Sequence, residues 1–338
     1  MVVQPSRDDA SEARKGVGPL IPPLSDTLRP LRQQVFERVR AAGLIPRVQL
    51  AKELGVSPAS VTTITSELIE SGLIEEIAAA REGEVVRGRP AVALGVRASA
   101  HRVAGMKLSD REHTAVIVDF AGNLIADDVI PRRPGPMEVS ELIDAVETLL
   151  DRVCTKAGIA RGDLSAVGIG VPGFVDSAEG VVLWSSTLVD RAVPLAALTA
   201  QRIGVPVNID NDANLVALAE LWFGAGRSLS DFAVVTIEHG VGMGFVMNHR
   251  IYRGAQRLGM ELGHTKVHLD GALCRCGQRG CLEAYVADYA LAREATTALN
   301  RSHQENQSVA ALLESLYDHA KAGNTTAQSI FRRAGRYL

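Results

Sequence analysis

The strongest chemical signal in the chain is the run HTKVHLDGALCRCGQRGC, which opens at His264 and carries Cys274, Cys276 and Cys281. One imidazole and three thiolates complete a tetrahedral Zn2+ set with no open position, so the expected role is structural rather than catalytic. Gly277 and Gly280 let the loop fold around an ion. A Cys-x-Cys spacing is awkward for an internal disulfide but natural for two thiolates on one metal. Unrelated buried or redox cysteines are the alternative. The remaining cysteine, Cys154, falls on a predicted helix and reads as core.

The elements that must carry this loop lie in a long α/β region. From about Ala100, VAGMKL and TAVIVDF read as strands separated by a turn, and AGNLIADDVI continues the meander. A long helix is expected at about 138–157. LSAVGIGVPG then reads as a buried strand running into a glycine turn. A helix at 194–203, a short strand VPVNID and a helix at 212–221 follow. DFAVVTIEHGVGMGFVMN reads as a glycine-laced hairpin, and the remainder is mostly helical. Meanders mixed with strand-helix units predict a two-lobed α/β fold with a ligand cleft between the lobes.

The N-terminal part has a different texture. Residues 1–27 are rich in Pro, Ser, Asp and Gly without periodicity, and are expected to be a disordered tail. Leu31, Val35 and Val39 then recur every four residues on a helix that stops at Gly43. A short helix is predicted at Arg47–Leu54, with Leu50, Ala51 and Leu54 on one face and a tight turn at Gly55-Val56. Ser57 is a good N-cap with Pro58 at the first helical position of a third helix, whose buried face would be Val61, Ile64 and Leu68. Gly72 ends it, Leu73-Ile74 begins a strand, and AVALGV (91–96) alternates like another. This is the order of a winged helix-turn-helix over 28–97; an apolar three-helix bundle with no DNA role is the alternative.

Bulk properties narrow the class. A chain of 338 residues is too long for one core. Its 46% apolar and 22% charged residues are those of an ordinary globular protein. No apolar run approaches the ~20 residues needed to span a bilayer. The N-terminus lacks the apolar segment of a signal peptide, so the expected location is cytoplasmic, with no membrane partner. A net charge of −3 means that any DNA binding must be local.

The runs GIGVPGFVD (168–176), NIDNDANLVALAE (208–220), ELGH (261–264) and LCRCGQRGCLEAY (273–285) resemble the ROK family of repressors, open reading frames and kinases. The likeness covers about residue 98 to the end and implies an actin-like (sugar kinase/ribonuclease H-like) two-lobed domain. It implies that Asn211 and Asp212 bind a sugar, Asp212 standing where the kinases keep their base. A carboxylate at a helix N-terminus is held ionised by the dipole and suits hydroxyl recognition. Without the resemblance, Asp212 reads as an ordinary acid of a first helical turn. The family also implies that Glu261, His264 and Glu283 contact sugar hydroxyls and that Gly173 allows backbone approach. His264 would then touch metal with one ring nitrogen and ligand with the other.

The ATP site departs from the family. Where its kinases open with Asp-x-Gly-Gly-Thr, this chain aligned on Gly105 has Lys107 for the Asp and Ser109 and Asp110 for the glycines. Side chains there block close backbone approach to phosphate, and Asp110 adds like charge. Glu238 opens the second phosphate turn with the same effect. The chain stops at Leu338 where members of the family continue, so it is either a fragment or lacks part of the second lobe. No ATP binding and no phosphotransfer are therefore expected.

In the reader, helix 57–71 would enter the major groove with Ser57, Ala59, Ser60, Thr62 and Thr63 exposed. It has no basic residue before its acidic end, so hydroxyl and methyl contacts would do the reading. Positive charge comes from Arg32, Arg38, Arg40, Arg47 and Lys52, and from a wing in which Arg87 and Arg89 are shaped for a narrow minor groove. A solvated wing is the alternative. The combined expectation is a sugar-responsive repressor that binds a hexose or hexose derivative, acting as a homodimer or dimer of dimers on a double-stranded operator. A sugar kinase with an appended DNA reader is the rival.

Overall fold

The computed structural model describes residues 16–21, 29–78, 92–133, 135–254, 259–298 and 308–338. The chain divides into two compact units, Met1–Asp231 with Met247–Arg250, and Phe232–Val246 with Ile251–Leu338. The N-terminal reader therefore groups with the first part of the α/β region.

The reader consists of α1 (Leu31–Ala42), α2 (Arg47–Leu54), α3 (Pro58–Glu70), β1 (Ile74–Ala78) and β2 (Val92–Val96). Gly43 closes α1 at a φ of 75°, Gly55 closes α2 in the left-handed region, and the Ser57 hydroxyl caps α3 through the Ser60 N–H. Val35, Val39, Leu50, Val61 and Leu68 form one buried cluster, completed by Ile74 and Leu94. β1 pairs antiparallel with β2, Ile74 opposite Val96. Arg87 and Arg89 lie outside the described residues.

The expected disordered tail is corrected at residues 16–21. Here Val17 donates to the Arg40 carbonyl (3.0 Å), Gly18 to that of Trp222 (2.8 Å) and Leu20 to that of Arg227 (2.7 Å). A short segment without periodicity, here Gly-Val-Gly-Pro-Leu-Ile, gains order when its backbone groups find fixed acceptors. The other residues of the tail lie outside the described ones.

The first unit continues with β3 (Arg102–Leu108), β4 (Glu112–Asp119), β5 (Leu124–Pro131), α4 (Val139–Ala157), β6 (Ala166–Val171), β7 (Phe174–Asp176), β8 (Val181–Trp184), α5 (Leu195–Ile203), β9 (Val207–Asn211) and α6 (Asp212–Phe223). Its sheet has the order β5-β4-β3-β6-β9, antiparallel on one side and parallel from β3 to β9. Ala104, Met106, Ala115, Ile117, Val167 and Ile169 bury one face under Leu142, Val146, Leu149 and Val153 of α4. On β6, glycine lets α6 come close: a Cβ at Gly170 would stand 2.9 Å from Leu215 Cδ1. Cys154 is buried in this core, as expected.

The second unit holds β10 (Phe232–Ile237), β11 (Val241–Met247), β12 (Arg250–Ile251), α7 (Glu283–Val286), α8 (Asp288–Ala298), α9 (Val309–Lys321) and α10 (Thr325–Tyr337). Met247 and β12's Arg250 fall at its border with the first unit. The glycine-laced hairpin is β10–β11, with Val235 opposite Met243. Among the described residues no helix is long and apolar enough to cross a membrane.

Candidate functional site

The metal candidates converge. The ligand atoms of His264, Cys274, Cys276 and Cys281 lie within 4.8 Å of one another. Cys274 Sγ is 3.7 Å from His264 Nδ1, and the sulfurs of Cys276 and Cys281 are 3.8 Å apart. Tetrahedral zinc with ordinary bond lengths needs about 3.6 Å between sulfur and nitrogen and about 3.8 Å between sulfurs. The four residues therefore fit a metal ion. Sequence places them there through two tight turns: Gly277 and Gly280 adopt φ values of 86° and 77°. A Cβ at Gly280 would strike the His268 carbonyl oxygen at 1.7 Å.

Electrostatics around the cluster make a full thiolate set depend on a bound cation. Burial pushes the Cys274 thiol up to about 12. Burial also works against ionising Cys276, but the Gln278 N–H and the neighbouring thiols outweigh it and hold that thiol below its usual range. Lys266 Nζ lies 3.2 Å from Cys281 Sγ and offers one positive charge to the three sulfurs. A divalent cation would supply the rest by displacing the thiol protons.

Glu283 begins beside this cluster. It is 8% exposed and accepts from the Val241 N–H (3.2 Å), from the Cys274 thiol (3.5 Å) and from the Tyr289 hydroxyl (3.4 Å). Tyr289 was not expected here; its signal in the sequence is only its position six residues after Glu283. Glu261 is exposed and its carbonyl accepts from the His264 N–H (3.1 Å). The glycine between them is required, since a Cβ at Gly263 would stand 2.3 Å from the Val241 carbonyl oxygen. With Nδ1 of His264 turned to the cysteines, Nε2 is on the opposite edge of the ring.

Gly173, Asn211 and Asp212 come together in the first unit. Asn211 ends β9 and caps α6: its Oδ1 accepts from the Ala213 and Asn214 N–H groups, and its Nδ2 donates to the Gly173 carbonyl (2.9 Å). Gly173 has a φ of 120°, and a Cβ there would stand 2.2 Å from the Trp184 carbonyl oxygen. The β7–β8 hairpin that supplies this contact was missed by sequence reasoning, although the turn residues around Gly180 mark it. Asp212 occupies the first turn of α6, where the helix dipole favours its charge.

The first phosphate turn is a tight β3–β4 connection. The Ser109 N–H donates to His113 Nδ1 (3.4 Å), the Glu112 N–H donates to Ser109 Oγ (3.4 Å), and the Ser109 carbonyl accepts from Arg132 (3.1 Å). Two backbone amides at this connection, those of Ser109 and Glu112, are thus occupied by the side chains of His113 and Ser109.

On the reader, Ser57, Thr62 and Thr63 are exposed and Ser60 is half-buried. The Thr62 and Thr63 hydroxyls donate to the carbonyls of Pro58 and Ala59, which leaves their outward lone pairs as acceptors beside an exposed methyl. Arg47 is braced inward instead, to Thr65 Oγ1 (3.0 Å) and Glu76 (2.6 Å). Arg38 pairs with Glu53, and Arg40 packs 4.2 Å over the Trp222 ring. Charge counted from the sequence is in these three cases committed to the fold.

Comparison with known proteins agrees with these features. Residues 28–75 match the model of a winged helix-turn-helix DNA-binding domain, and residues 104–338 match that of the ROK family. The xylose repressor of Caldicellulosiruptor bescii is 30% identical over 248 residues, 73% of this chain and 61% of that protein. The chain thus spans about three fifths of the length of the first curated relatives it matches. The DNA-binding transcriptional repressor Mlc of Escherichia coli is 29% identical over 307 residues, 90% of this chain and 74% of that protein. A solved ROK family transcriptional regulator, a homolog of the E. coli Mlc protein, is 27% identical with a TM-score of 0.72, covering 91% of this chain and 77% of that one. A reader of the winged helix-turn-helix type, a sheet of order β5-β4-β3-β6-β9 and a histidine–cysteine loop make this chain a member of the ROK family.

Proposed function

We propose that the chain is a sugar-responsive, DNA-binding transcription repressor that binds a hexose or hexose derivative without phosphorylating it. The observation that carries this reading is the first phosphate turn. In a chain that joins a DNA reader to a sugar-kinase-like domain, the amides of Ser109 and Glu112 are spent on His113 and Ser109. Phosphoryl transfer rests on positioning and charge stabilisation of the phosphates, so a turn that withholds both leaves binding without transfer. The names of the similar repressors support the same assignment.

Gly173, Asn211, Asp212, Glu261, His264 and Glu283 are the sugar contacts in this reading. A structural Zn2+ is held by His264, Cys274, Cys276 and Cys281, and fixes the loop that carries His264 and leads to Glu283. Ser57, Ser60, Thr62 and Thr63 read bases, Arg87 and Arg89 enter the minor groove, and Arg47 steadies the reader. The protein works in the cytoplasm as a homodimer or dimer of dimers on a palindromic operator.

The test is paired. A labelled duplex, selected from random-sequence DNA with the full chain, is titrated with and without D-glucose, D-xylose or N-acetyl-D-glucosamine. ADP release is followed in the same samples with ATP and Mg2+. A sugar-dependent change in DNA affinity with no sugar-dependent ADP supports the repressor; steady turnover supports the kinase instead.

A further inference from the structure

The two ends of α6 meet different partners. Its head carries Asn211 as cap and Asp212 in the first turn. Its tail is fastened to the reader. Arg227, just past α6, donates from Nε to the Gly18 carbonyl (2.9 Å) and from Nη2 to the Ala41 carbonyl (2.7 Å). The Gly18 N–H donates to the Trp222 carbonyl (2.8 Å), and the Arg40 guanidinium lies 4.2 Å from the Trp222 ring centroid. Ala41 belongs to the last turn of α1, whose carbonyls lack helical partners and favour a cation. Residues 16–21 pass between the two, and they are shaped for it. A Cβ at Gly16 would stand 1.9 Å from the Ala41 carbonyl oxygen, and Gly18 has a φ of 95°.

We infer that α6 is the lever through which occupancy of its Asn211–Asp212 end reaches the DNA reader, with Arg227 and Trp222 as positioning residues and residues 16–21 as the strap. The inference rests on the sugar-responsive reading above. Mechanically, a helix of 12 residues is a rod about 18 Å long that shifts as one body. A hydroxyl that engages the Asn211 amide competes with the Gly173 carbonyl and so moves the head. The tail carries that displacement to α1 through Arg227, Trp222 and the strap. Val35 and Val39 of α1 are packed against Val61 and Leu68 of α3, so the recognition helix moves with α1. Neither Arg227 nor Trp222 belongs to the sugar, metal or DNA sets, which separates coupling from binding.

The test uses the full chain with Arg227→Ala, Arg227→Lys and Trp222→Leu. DNA affinity is read by anisotropy on the selected duplex, with and without saturating D-glucose, D-xylose or N-acetyl-D-glucosamine. Sugar affinity is read by calorimetry. The wild type is expected to change DNA affinity by about fivefold or more on binding sugar. Arg227→Ala and Trp222→Leu should keep sugar affinity and sugar-free DNA affinity within about twofold, while the sugar effect on DNA falls below about twofold. Arg227→Lys, which can reach one of the two carbonyls, should fall between. Should Arg227→Ala lose its native circular dichroism, Trp222→Leu and Arg227→Lys carry the test. Folded variants that respond to sugar as the wild type does overturn the lever and leave the repressor reading intact. A wild type that binds sugar with no change in DNA affinity overturns the repressor reading itself, and the lever with it.

Discussion

The Asn211 side-chain amide donates to the Gly173 carbonyl across 2.9 Å while its oxygen caps α6, so one side chain ties a glycine turn to a helix start. Asn211→Asp keeps the capping oxygen but loses the donor to Gly173. It is expected to hold most of the thermal stability and lose the sugar-induced rise in melting temperature. Asn211→Ala loses both roles and should cost about 1 kcal/mol for the cap alone. Thermal unfolding of both variants, with and without sugar, separates the two. Equal loss of stability in the two variants would show that the Gly173 bond, rather than the cap, dominates.

Metal content follows from the 3.7 and 3.8 Å separations in the histidine–cysteine cluster. The purified chain is expected to carry about one zinc per molecule, by elemental analysis. Cys276→Ser and Cys281→Ser should lose it and melt earlier, because metal binding is linked to folding of the loop. Chelation of the wild type should weaken sugar binding through His264. Full sugar affinity in a metal-free sample would break the link between loop and ligand.

The reader separates contacts to bases from contacts to phosphate. Thr62→Val and Thr63→Val keep shape but remove the acceptors that point outward. If either reads a base, affinity for the selected duplex should fall by about 1–3 kcal/mol with little change on random DNA. Arg87→Ala and Arg89→Ala, which remove charge from the minor groove, should weaken binding most where that groove is A·T-rich and narrow, and should also lower the salt dependence. Arg47→Ala should act on the reader's own melting, since its guanidinium is spent on Thr65 and Glu76. A changed salt slope for Arg47→Ala would return it to the DNA surface.

Much of this was legible because local rules and the final fold agree. The limits Arg47–Leu54 for α2 follow from Gly55 in the left-handed region, and Ser57-Pro58 fixes the start of α3. The metal cluster was legible because four residues of two rare ligand types, histidine and cysteine, crowd a single run. What sequence hides is partnership at long range. Residues 16–21 look like a tail, yet their acceptors sit on α1 and some 200 positions away, at Trp222 and Arg227. Arg38, Arg40 and Arg47 count as free charge in a sequence, whereas the fold turns each toward a partner. The β7–β8 hairpin escapes because two strands of three and four residues give too few alternations to register.

Stability should depend on pH through His113. This imidazole is fully buried on β4, and burial first, with the nearby Arg132 charge second, pushes its pKa down from 6.5 to about 4. Its Nδ1 accepts from the Ser109 N–H, which keeps the ring neutral in the fold. Below pH 6.5 the unfolded chain takes up a proton that the folded chain refuses until about pH 4. The unfolded state therefore binds more protons in that window, and stability falls as pH drops through it. Asp128, paired with Lys156 and Arg152, titrates from 3.8 to about 2 and so governs a lower window. Urea midpoints measured from pH 7 to pH 4 should decline in the wild type and flatten in His113→Gln. A variant with the wild-type slope over that range would move the effect to another group.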